Sequence, residues 1–327
     1  MRVLTGDIGG TKTRLAMVEA FGTQVETLIE EAYSSQSYAS LETIVDLFLE
    51  GPAKGMGRER ACFGVAGPVR NGKCRTTNLP WEIDVERLAA QCGLQRVGLL
   101  NDLEATGYGI AVLGDDDFYL LNAGAPGATG NAAVIAAGTG LGEAGLYWDG
   151  VRYTPFPTEG GHSSFSPTTD LEIALLQYLR GRYGRVSWER VLSGSGLVNL
   201  YQFLRDTEGE EEPDWLAEAM RAGDPAAAIS EAALSGRSTA CENALDLFVR
   251  LYGVEAGDQA LKLMAVGGVF IGGGIAPKIL EKLKGPVFME AFCAKGRMGT
   301  LLAAIPVKVI LNERTALLGP AVYAVLS

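Results

Sequence analysis

Hydrophobic and polar residues alternate along the first third of the chain in a way that predicts successive strands and helices. Three strands open the pattern, and helices and further strands follow. The predicted strands cover residues 2–7, 13–20, 25–34, 60–66, 73–77 and 97–101, and the predicted helices cover 41–50 and 84–92. This order indicates a first α/β unit.

The pattern restarts after residue 117. Two strands precede a hairpin joined by Asp149-Gly150, helices dominate the middle, and strands and helices alternate to the end. The strands are predicted at 118–121, 132–137, 143–148, 151–153, 269–272 and 307–311, and the helices within 168–264 and at 276–283, 287–293 and 315–326. A chain of 327 residues exceeds the length at which single cores stop growing, so two lobes are expected.

The net charge of the chain argues against two classes of partner. The chain carries 39 Asp and Glu against 28 Lys and Arg, which gives a formal charge of −11. A broad electrostatic grip on nucleic acid or on an anionic membrane is therefore not expected. With 47% hydrophobic and 20% charged residues, the composition is that of an ordinary globular protein.

Cysteine spacing and the first residues bear on the compartment. The five cysteines form no CxxC or CxC pair, so neither a zinc knuckle nor a disulfide framework is indicated. The start MRVLTGD turns polar too soon for a signal peptide, and the apolar stretch 263–277 is interrupted by glycines. We expect a soluble, cytoplasmic protein with reduced thiols.

Two segments share one plan. Both GDIGGTKTRLAMVE and AAGTGLGEAGLYWDG contain an apolar strand, a turn of Gly and Thr, and a second strand that doubles back. Glycine lets backbone N–H groups approach an anion closely, and Thr hydroxyls add donors. Each turn is therefore a plausible phosphate site, and two such turns facing each other could hold a polyphosphate.

Asp7 precedes the first of these turns. A carboxylate beside a phosphate would repel it unless a divalent cation lay between them, which makes Asp7 a candidate magnesium ligand, directly or through water. The alternative is an Asp that caps a hairpin turn. Lys12 and Arg14 also have alternatives without a ligand. Lys12 would be an exposed turn residue, and Arg14 would be a solvated strand residue.

Three polar clusters lie where α/β proteins bind ligands. They are VGLLND at 97–102, EGGH at 159–162, which holds the only histidine, and Ser187 to Arg190. Each has a structural alternative: Asp102 as N-cap of a helix over 103–113, His162 as a half-buried imidazole, and Glu189 as a first-turn residue. Together their amides, carboxylates and imidazole would suit a polyhydroxylated neutral ligand.

Two further glycine motifs are weak. The segment GPVRNGKC, 67–74, is one residue from a Walker pattern, but Cys cannot supply the magnesium-binding hydroxyl and Asn71-Gly72 favours a hairpin turn. The segment GLGEAG, 140–145, matches a dinucleotide fingerprint, with Glu159 near the expected ribose-binding position. The residues after it have hairpin character, so no helix N-terminus would face the pyrophosphate.

The joint occurrence and order of several motifs resemble those of bacterial glucokinases of the hexokinase type, and not the group with a zinc-binding cysteine cluster. The motifs are GDIGGTKTRL, LLNDLEATG, AAGTGLG, EGGH, SWERVLSGSGLVNLY and GGVFIGGGI. The resemblance covers nearly the whole chain. It implies an α/β, actin-like ATPase (ribonuclease H-like) two-lobed fold with a central nucleotide and sugar cleft. We expect a small domain of residues 1–111 plus 305–327 and a large domain of 112–304.

The resemblance also implies an activity, ATP-dependent phosphorylation of glucose at its 6-hydroxyl, and roles for matching residues. Asp102 matches the general base, and Mg²⁺ and ATP would be held by the two Gly/Thr turns. Lys12 stands where other members often carry Asn and receives no role. The sugar contacts implied are Asn101, Asp102, Glu159, His162, Glu189 and, in a sugar-side loop, Asn78; the nucleotide contacts implied are Asp7, Gly9, Gly10, Thr11, Gly138, Thr139, Gly140, Gly272, Gly273 and Gly274.

Other functions stay open at this point. A non-catalytic sugar sensor could keep the pocket, although sensors of related architecture carry a DNA-binding region ahead of the first turn and only five residues precede Gly6 here. A dinucleotide-dependent oxidoreductase built on GLGEAG is the second alternative. Glucose and ATP are the expected partners, with no nucleic acid, no membrane and a homodimeric assembly.

Overall fold

The computed structural model describes residues 1–76, 79–209 and 211–327. The strands are β1 (Arg2–Ile8), β2 (Lys12–Phe21), β3 (Gln24–Ser34), β4 (Arg60–Val65), β5 (Val69–Arg70), β6 (Lys73–Arg75), β7 (Glu82–Asp84), β8 (Gly98–Asn101), β9 (Phe118–Asn122), β10 (Ala132–Ala137), β11 (Leu141–Trp148), β12 (Tyr153–Thr158), β13 (Gly268–Gly272) and β14 (Val307–Ile310). The helices are α1 (Leu41–Glu50), α2 (Val85–Cys92), α3 (Asp102–Gly109), α4 (Asp170–Tyr183), α5 (Gly194–Glu208), α6 (Asp214–Ala222), α7 (Pro225–Leu234), α8 (Thr239–Leu263), α9 (Leu280–Leu283), α10 (Pro286–Cys293), α11 (Gly299–Ala303) and α12 (Thr315–Leu326).

The chain divides into two compact units. The first unit comprises Met1–Asp117, Val151–Pro157 and Asn312–Ser327, and the second comprises Phe118–Gly150 and Thr158–Leu311. Each unit has its own buried apolar residues.

The first unit is built on a sheet in the order β3-β2-β1-β4-β8. The first three strands form an antiparallel meander, and β1, β4 and β8 run parallel. In register, Ile8 lies beside Val65, which lies beside Asn101. The residues that follow these three strands therefore share one edge of the sheet, where ligands bind in α/β folds.

Helix α12 covers this sheet together with α3. Leu317, Ala321 and Leu100 are buried between the two helices and the strands. The buried Thr5 hydroxyl donates to the carbonyl oxygen of Leu317 at 2.6 Å. This hydrogen bond fixes α12 on β1. The C-terminal segment thus belongs to the unit that contains the N-terminal strands.

Five strands of the second unit lie in the order β11-β10-β13-β14-β9. Strands β10, β13 and β14 run parallel, and β11 returns antiparallel beside β10. The 25-residue helix α8 is buried along most of its length, between this sheet and helices α5, α7 and α10. Its length and burial place several polar side chains inside the unit.

The alternating pattern of strands and helices is confirmed, with local differences. The helix predicted at 276–283 is a series of turns that becomes helical only at Leu280–Leu283. The second strand of the hairpin begins at Tyr153 rather than at 151. Among the described residues, no helix combines the length and the apolar character that crossing a membrane requires.

Candidate functional site

The first Gly/Thr turn, residues 9–11, joins β1 to β2. The Gly9 N–H donates to the Lys12 carbonyl oxygen at 3.0 Å and closes the turn. The buried Ser35 supports it from outside: its hydroxyl donates to the Gly9 carbonyl, and its N–H donates to the Thr11 carbonyl. The Thr13 hydroxyl lies 2.9 Å from the Ser35 hydroxyl. Sequence reasoning missed Ser35 because it lies 26 residues beyond the turn.

Asp7 lies one residue before the end of β1, opposite Arg14 on β2. Burial raises the pKa of the Asp7 carboxyl to about 6, and the Arg14 charge opposes this shift. Arg14 also forms a salt bridge with Glu313, in which Nη2 lies 3.3 Å from Oε2. Within the described part of the chain, no group donates a hydrogen bond to the Asp7 carboxylate, which is therefore available to an external cation or water.

The donor set at Asp7 fits magnesium better than zinc. Among the residues that the structure describes, no three His, Cys, Asp or Glu side chains are grouped to hold a metal ion. Mg²⁺ is bound through one or two carboxylates, phosphates and several waters. A partly buried carboxylate without an internal hydrogen bond beside a glycine turn fits that requirement.

Asn101 and Asp102 follow β8. Asn101 is the N-cap of α3: its side-chain oxygen accepts the Leu103 N–H at 2.9 Å, and Glu104 accepts the Asn101 N–H at 3.0 Å. The alternative that Asp102 is the N-cap is therefore wrong. The spacing Asn-x-x-Glu is typical of a capping box and could have revealed this in the sequence. The Asn101 amide nitrogen also donates to the Gly67 carbonyl, at 3.3 Å.

Asp102 is the first residue of α3 and is largely buried. Burial raises the pKa of its carboxyl to about 6, and the negative charge of Asp7 adds to the shift, while the Leu103 N–H lowers it. The structure thus brings Asp7 and Asp102 close enough to interact at one edge of the first unit's sheet. Because a carboxylate with a raised pKa is a stronger base, Asp102 suits proton acceptance near neutral pH. Asn78 lies outside the described residues.

The second Gly/Thr turn, residues 138–140, joins β10 to β11. The Gly138 N–H donates to the Gly140 carbonyl at 2.8 Å, and the Gly138 carbonyl accepts the Gly194 N–H at the start of α5. Thr139 is exposed at its tip. The exposed position leaves the Thr139 hydroxyl open to a ligand.

Glu189 lies in a 3-10 helix at Trp188–Arg190 and contacts the second turn. Its Oε2 accepts the Leu141 N–H at 3.1 Å, and a Cβ built on Gly140 would lie 2.5 Å from that oxygen. Glu189 therefore holds the exit of the second turn as well as being a predicted sugar contact. The expectation that it merely complements a helix dipole accounts for neither contact.

The triple-glycine loop, residues 272–274, follows β13. Gly273 has φ +82°, and a Cβ there would overlap the Ala137 carbonyl at the end of β10. The buried Tyr252 hydroxyl on α8 bridges both segments: it accepts the Ala137 N–H at 3.1 Å and lies 3.2 Å from the Gly272 carbonyl. Tyr252 joins the loop to the strand that leads into the second turn. No local sequence signal points to it.

The EGGH loop, residues 159–162, contains a 3-10 helix at Gly160–His162. The Glu159 and His162 side chains are exposed, with Glu159 Oε2 4.0 Å from His162 Nε2. The expectation of a half-buried imidazole is therefore wrong. Arg185 donates to the His162 carbonyl at 2.6 Å, which ties this loop to the segment that precedes Glu189.

The structure also shows the conformation of the two weak glycine motifs. Asn71 and Gly72 have φ +52° and +71°, which is the hairpin geometry expected between β5 and β6. Residues 141–145 of GLGEAG lie in strand β11, which continues to Trp148. A dinucleotide site needs a helix at this place, so the oxidoreductase alternative is not favoured.

Comparison with known proteins identifies the family. A glucokinase family model matches residues 4–326. The glucokinase of Nostoc sp. is 44% identical over 336 residues, which cover 98% of this chain and 98% of that protein. The glucokinase of Psychromonas ingrahamii is 39% identical over 98% of this chain and 96% of its own length.

Solved structures agree with this result. The crystal structure of a glucokinase from an Antarctic psychrotroph superposes with a TM-score of 0.86 at 32% identity, and covers 100% of this chain and 99% of that one. A ROK family glucokinase from Streptomyces griseus, in complex with glucose and AMPPNP, shares the fold with a TM-score of 0.68 at 21% identity over the full length of both chains. The resemblance drawn from the motifs is confirmed: the chain belongs to the glucokinase family and has the actin-like ATPase fold.

Proposed function

We propose that this protein transfers the γ-phosphoryl group of ATP to the 6-hydroxyl of glucose. The observation that carries the proposal is the position of Asp102, a largely buried carboxylate with a raised pKa directly after a parallel strand, in a chain that matches the glucokinase family over nearly its whole length. Phosphoryl transfer depends on positioning and on charge neutralisation more than on covalent catalysis. The described residues of both units supply groups suited to those tasks.

Asp102 is proposed as the general base. It would accept the proton of the glucose 6-hydroxyl as that oxygen attacks the γ-phosphorus, and the bond from phosphorus to the bridging oxygen of ADP breaks. Asn101 is held by its helix cap and by Gly67, and the second N–H of its amide remains for a sugar hydroxyl. Glu159, His162 and Glu189 are proposed as further sugar contacts, and Asn78 is proposed from the sequence alone.

The glycine segments are proposed to bind the nucleotide. The backbone N–H groups at Gly9, Gly10 and Thr11 and at 138–140 would contact phosphate oxygens, and residues 272–274 would lie beside adenosine. Asp7 is proposed to hold Mg²⁺, directly or through water. When bound, Mg²⁺ neutralises charge on the phosphates.

Several expectations accompany this proposal. The first unit would be the small domain of the kinase and the second unit the large domain. The homodimer and the cytoplasmic location stay predictions.

The test is a coupled assay for ADP after addition of glucose and MgATP. We expect ADP formation that depends on glucose, and turnover about 10²–10⁴-fold lower in Asp102→Asn with glucose affinity within a few-fold of the parent. Asp116→Asn, an exposed aspartate of the same unit, is the matched control and should keep parental turnover. Retained turnover in Asp102→Asn would remove Asp102 from the mechanism, whereas no ADP from the parent protein would refute the activity.

The pH dependence follows from the raised pKa of Asp102. Its carboxyl must be ionised to accept a proton, and its pKa is about 6. At saturating MgATP, kcat/KM for glucose should therefore fall about tenfold per pH unit below about pH 6 and level off above it. A rate that stays constant from about pH 7 to about pH 5 would contradict the assignment.

A further inference from the structure

Two glutamates that the proposed reaction does not use are buried together in the second unit. Glu143 on β11 is 4% exposed, and Glu255 on α8 is 0% exposed. Gln259, one helical turn after Glu255, donates to the carbonyl of Ala144, the residue after Glu143, so the two glutamates lie in the same contact between α8 and β11. Glu143 Oε1 and Glu255 Oε2 are both buried and have no hydrogen-bond partner among the described residues.

Two carboxylates in contact inside a protein cannot both ionise without a large cost. Burial raises the pKa of each carboxyl, and the Glu143 charge further raises that of Glu255. A hydrogen bond between the two unpaired oxygens would satisfy both of them, and it requires that one carboxyl group carries a proton. The burial of both side chains, their two unpaired oxygens and the electrostatic coupling between them together favour a single shared proton.

Glu143 lies directly beneath the EGGH loop. A Cβ on Gly160 would overlap Glu143 Oε2, so only a glycine permits this approach. The Glu143 carbonyl accepts the Thr158 hydroxyl at 2.9 Å, and the Gly160 N–H donates to that hydroxyl at 3.2 Å. A displacement of the Glu143 carboxylate toward Gly160 would therefore press on the loop that carries Glu159 and His162.

We propose that Glu143 and Glu255 form a proton-sharing pair that positions the EGGH loop for the sugar, so that loss of the shared proton at alkaline pH weakens glucose binding. This inference rests on the proposed function for the identity of the sugar. With the proton present, the pair is compact and the loop rests on Glu143. Without it, the two negative charges repel each other and push Glu143 against Gly160.

The groups around the pair set its response to pH. Lys262 Nζ lies 3.3 Å from Glu255 Oε1, and its charge lowers the pKa of both glutamates. Asp258 acts in the opposite direction, although Lys295 pairs with it at 2.5 Å. Tyr252 stays neutral because burial and the Glu143 charge raise its pKa. The Gln259 amide donates to backbone carbonyls of β10 and β11 and carries no charge.

The first experiment measures KM for glucose as a function of pH in the parent protein and in Glu255→Gln. The introduced amide donates permanently to ionised Glu143, as the shared proton does. We expect KM in the parent to rise by up to about tenfold per pH unit above about pH 8, with kcat changed much less, and KM in Glu255→Gln to stay constant. An alkaline rise that is the same in both proteins would overturn the proposal.

A surface substitution tests the same pair without altering its buried groups. Lys262→Met removes the charge that favours ionisation, so the alkaline rise in KM should move to higher pH. Lys282→Met is the matched control, because Lys282 pairs at 2.7 Å with Asp246 on the same helix, about 13 Å along its axis from Glu255. Equal shifts, or no shift, in the two variants would contradict the role of the pair.

Infrared spectroscopy separates this proposal from the proposed activity. At about pH 7.5 the spectrum of the parent should contain a protonated carboxyl C=O band that is missing in Glu255→Gln. The band tests the pair even if the protein phosphorylates no sugar, because it requires neither glucose nor ATP. Its absence from the parent would overturn the shared proton, whereas its presence without any glucose-dependent ADP formation would overturn the activity alone.

Discussion

The two Gly/Thr turns follow one sequence plan and differ in what holds them. Each turn is closed by a backbone hydrogen bond that starts at its first glycine, from Gly9 to Lys12 and from Gly138 to Gly140. The first turn is supported by the hydroxyl of Ser35, from the segment that directly follows the meander of β1 to β3. The second is supported by the start of α5 and by Glu189, and Tyr252 on α8 anchors the strand before it.

This difference shows how one local motif is adapted to two surroundings. The first turn depends on a neighbour that is close in sequence, whereas the second depends on parts of the chain up to 115 residues away. Disturbing the second turn should therefore change both phosphate binding and the packing of α8. Disturbing the first should change phosphate binding with a smaller loss of stability.

The carboxylates proposed to contact substrate or cation differ between the two units in a similar way. Asp7 and Asp102 are largely buried in the first unit, and burial raises the pKa of both to about 6. Glu159 in the second unit is exposed, and Glu189 is hydrogen-bonded to the backbone. Proton transfer and cation binding require tuned carboxylates, whereas contacts to neutral hydroxyls do not.

Among substitutions near the two turns, Gly273→Ala is expected to have the largest effect on stability and on KM for ATP. The left-handed backbone costs an L-residue about 1–2 kcal/mol, and the new Cβ would also overlap the Ala137 carbonyl. We expect the free energy of unfolding to fall by about 2 kcal/mol or more, and KM for ATP to rise about tenfold. Urea unfolding and initial rates measure the two quantities.

Gly296→Ala is the matched control for that substitution. Gly296 also has a positive φ, +54°, but no atom of the described residues lies within 4 Å of the position of a Cβ. It should lose stability from backbone strain alone and keep the parental KM for ATP. Equal effects of the two variants on KM would mean that the contact with Ala137 is unimportant.

The next largest effect is expected from Tyr252→Phe. Loss of the hydroxyl leaves the buried Ala137 N–H without its partner, which costs about 1–3 kcal/mol. KM for ATP should rise several-fold while KM for glucose changes little. Tyr178→Phe removes a hydroxyl that bonds Asp206 at the surface, and serves as the control. A rise in KM for glucose equal to that for ATP would contradict a role confined to the nucleotide segments.

The sequence predicts those features that are carried by neighbouring residues. The strands β1 and β10, the glycine turns after them and the Asn-Asp pair at the end of β8 are each contained in a few consecutive letters. Hydrophobic periodicity and turn chemistry are sufficient for such segments. The family resemblance then assigns roles because it combines several of them in a fixed order.

The remaining features depend on contacts that form only when the chain folds. Tyr252 and Glu255 lie in a helix whose pattern indicates burial but not the strand that each one meets. Asn101 and Asp102 are both good N-cap residues, and which of them caps α3 depends on the contact with Glu104. The exposure of His162 likewise follows from the close approach of Gly160 and Gly161 to β11, which leaves its side chain outside.

Ser35→Ala tests the first turn and is expected to have the smallest effect on stability and on KM for ATP. The substitution removes the hydrogen bond to the Gly9 carbonyl and leaves the buried Thr13 hydroxyl without its partner. The free energy of unfolding should fall by about 1 kcal/mol, and KM for ATP should rise a few-fold.

Ser40→Ala removes the N-cap of α1 at a similar cost of about 1 kcal/mol, but it touches no phosphate turn. Because the two variants lose similar stability, only a role in holding the turn explains a higher KM for ATP in Ser35→Ala alone. An unchanged KM in both would show that the first turn keeps its shape without Ser35, and that its backbone bond from Gly9 to Lys12 is sufficient.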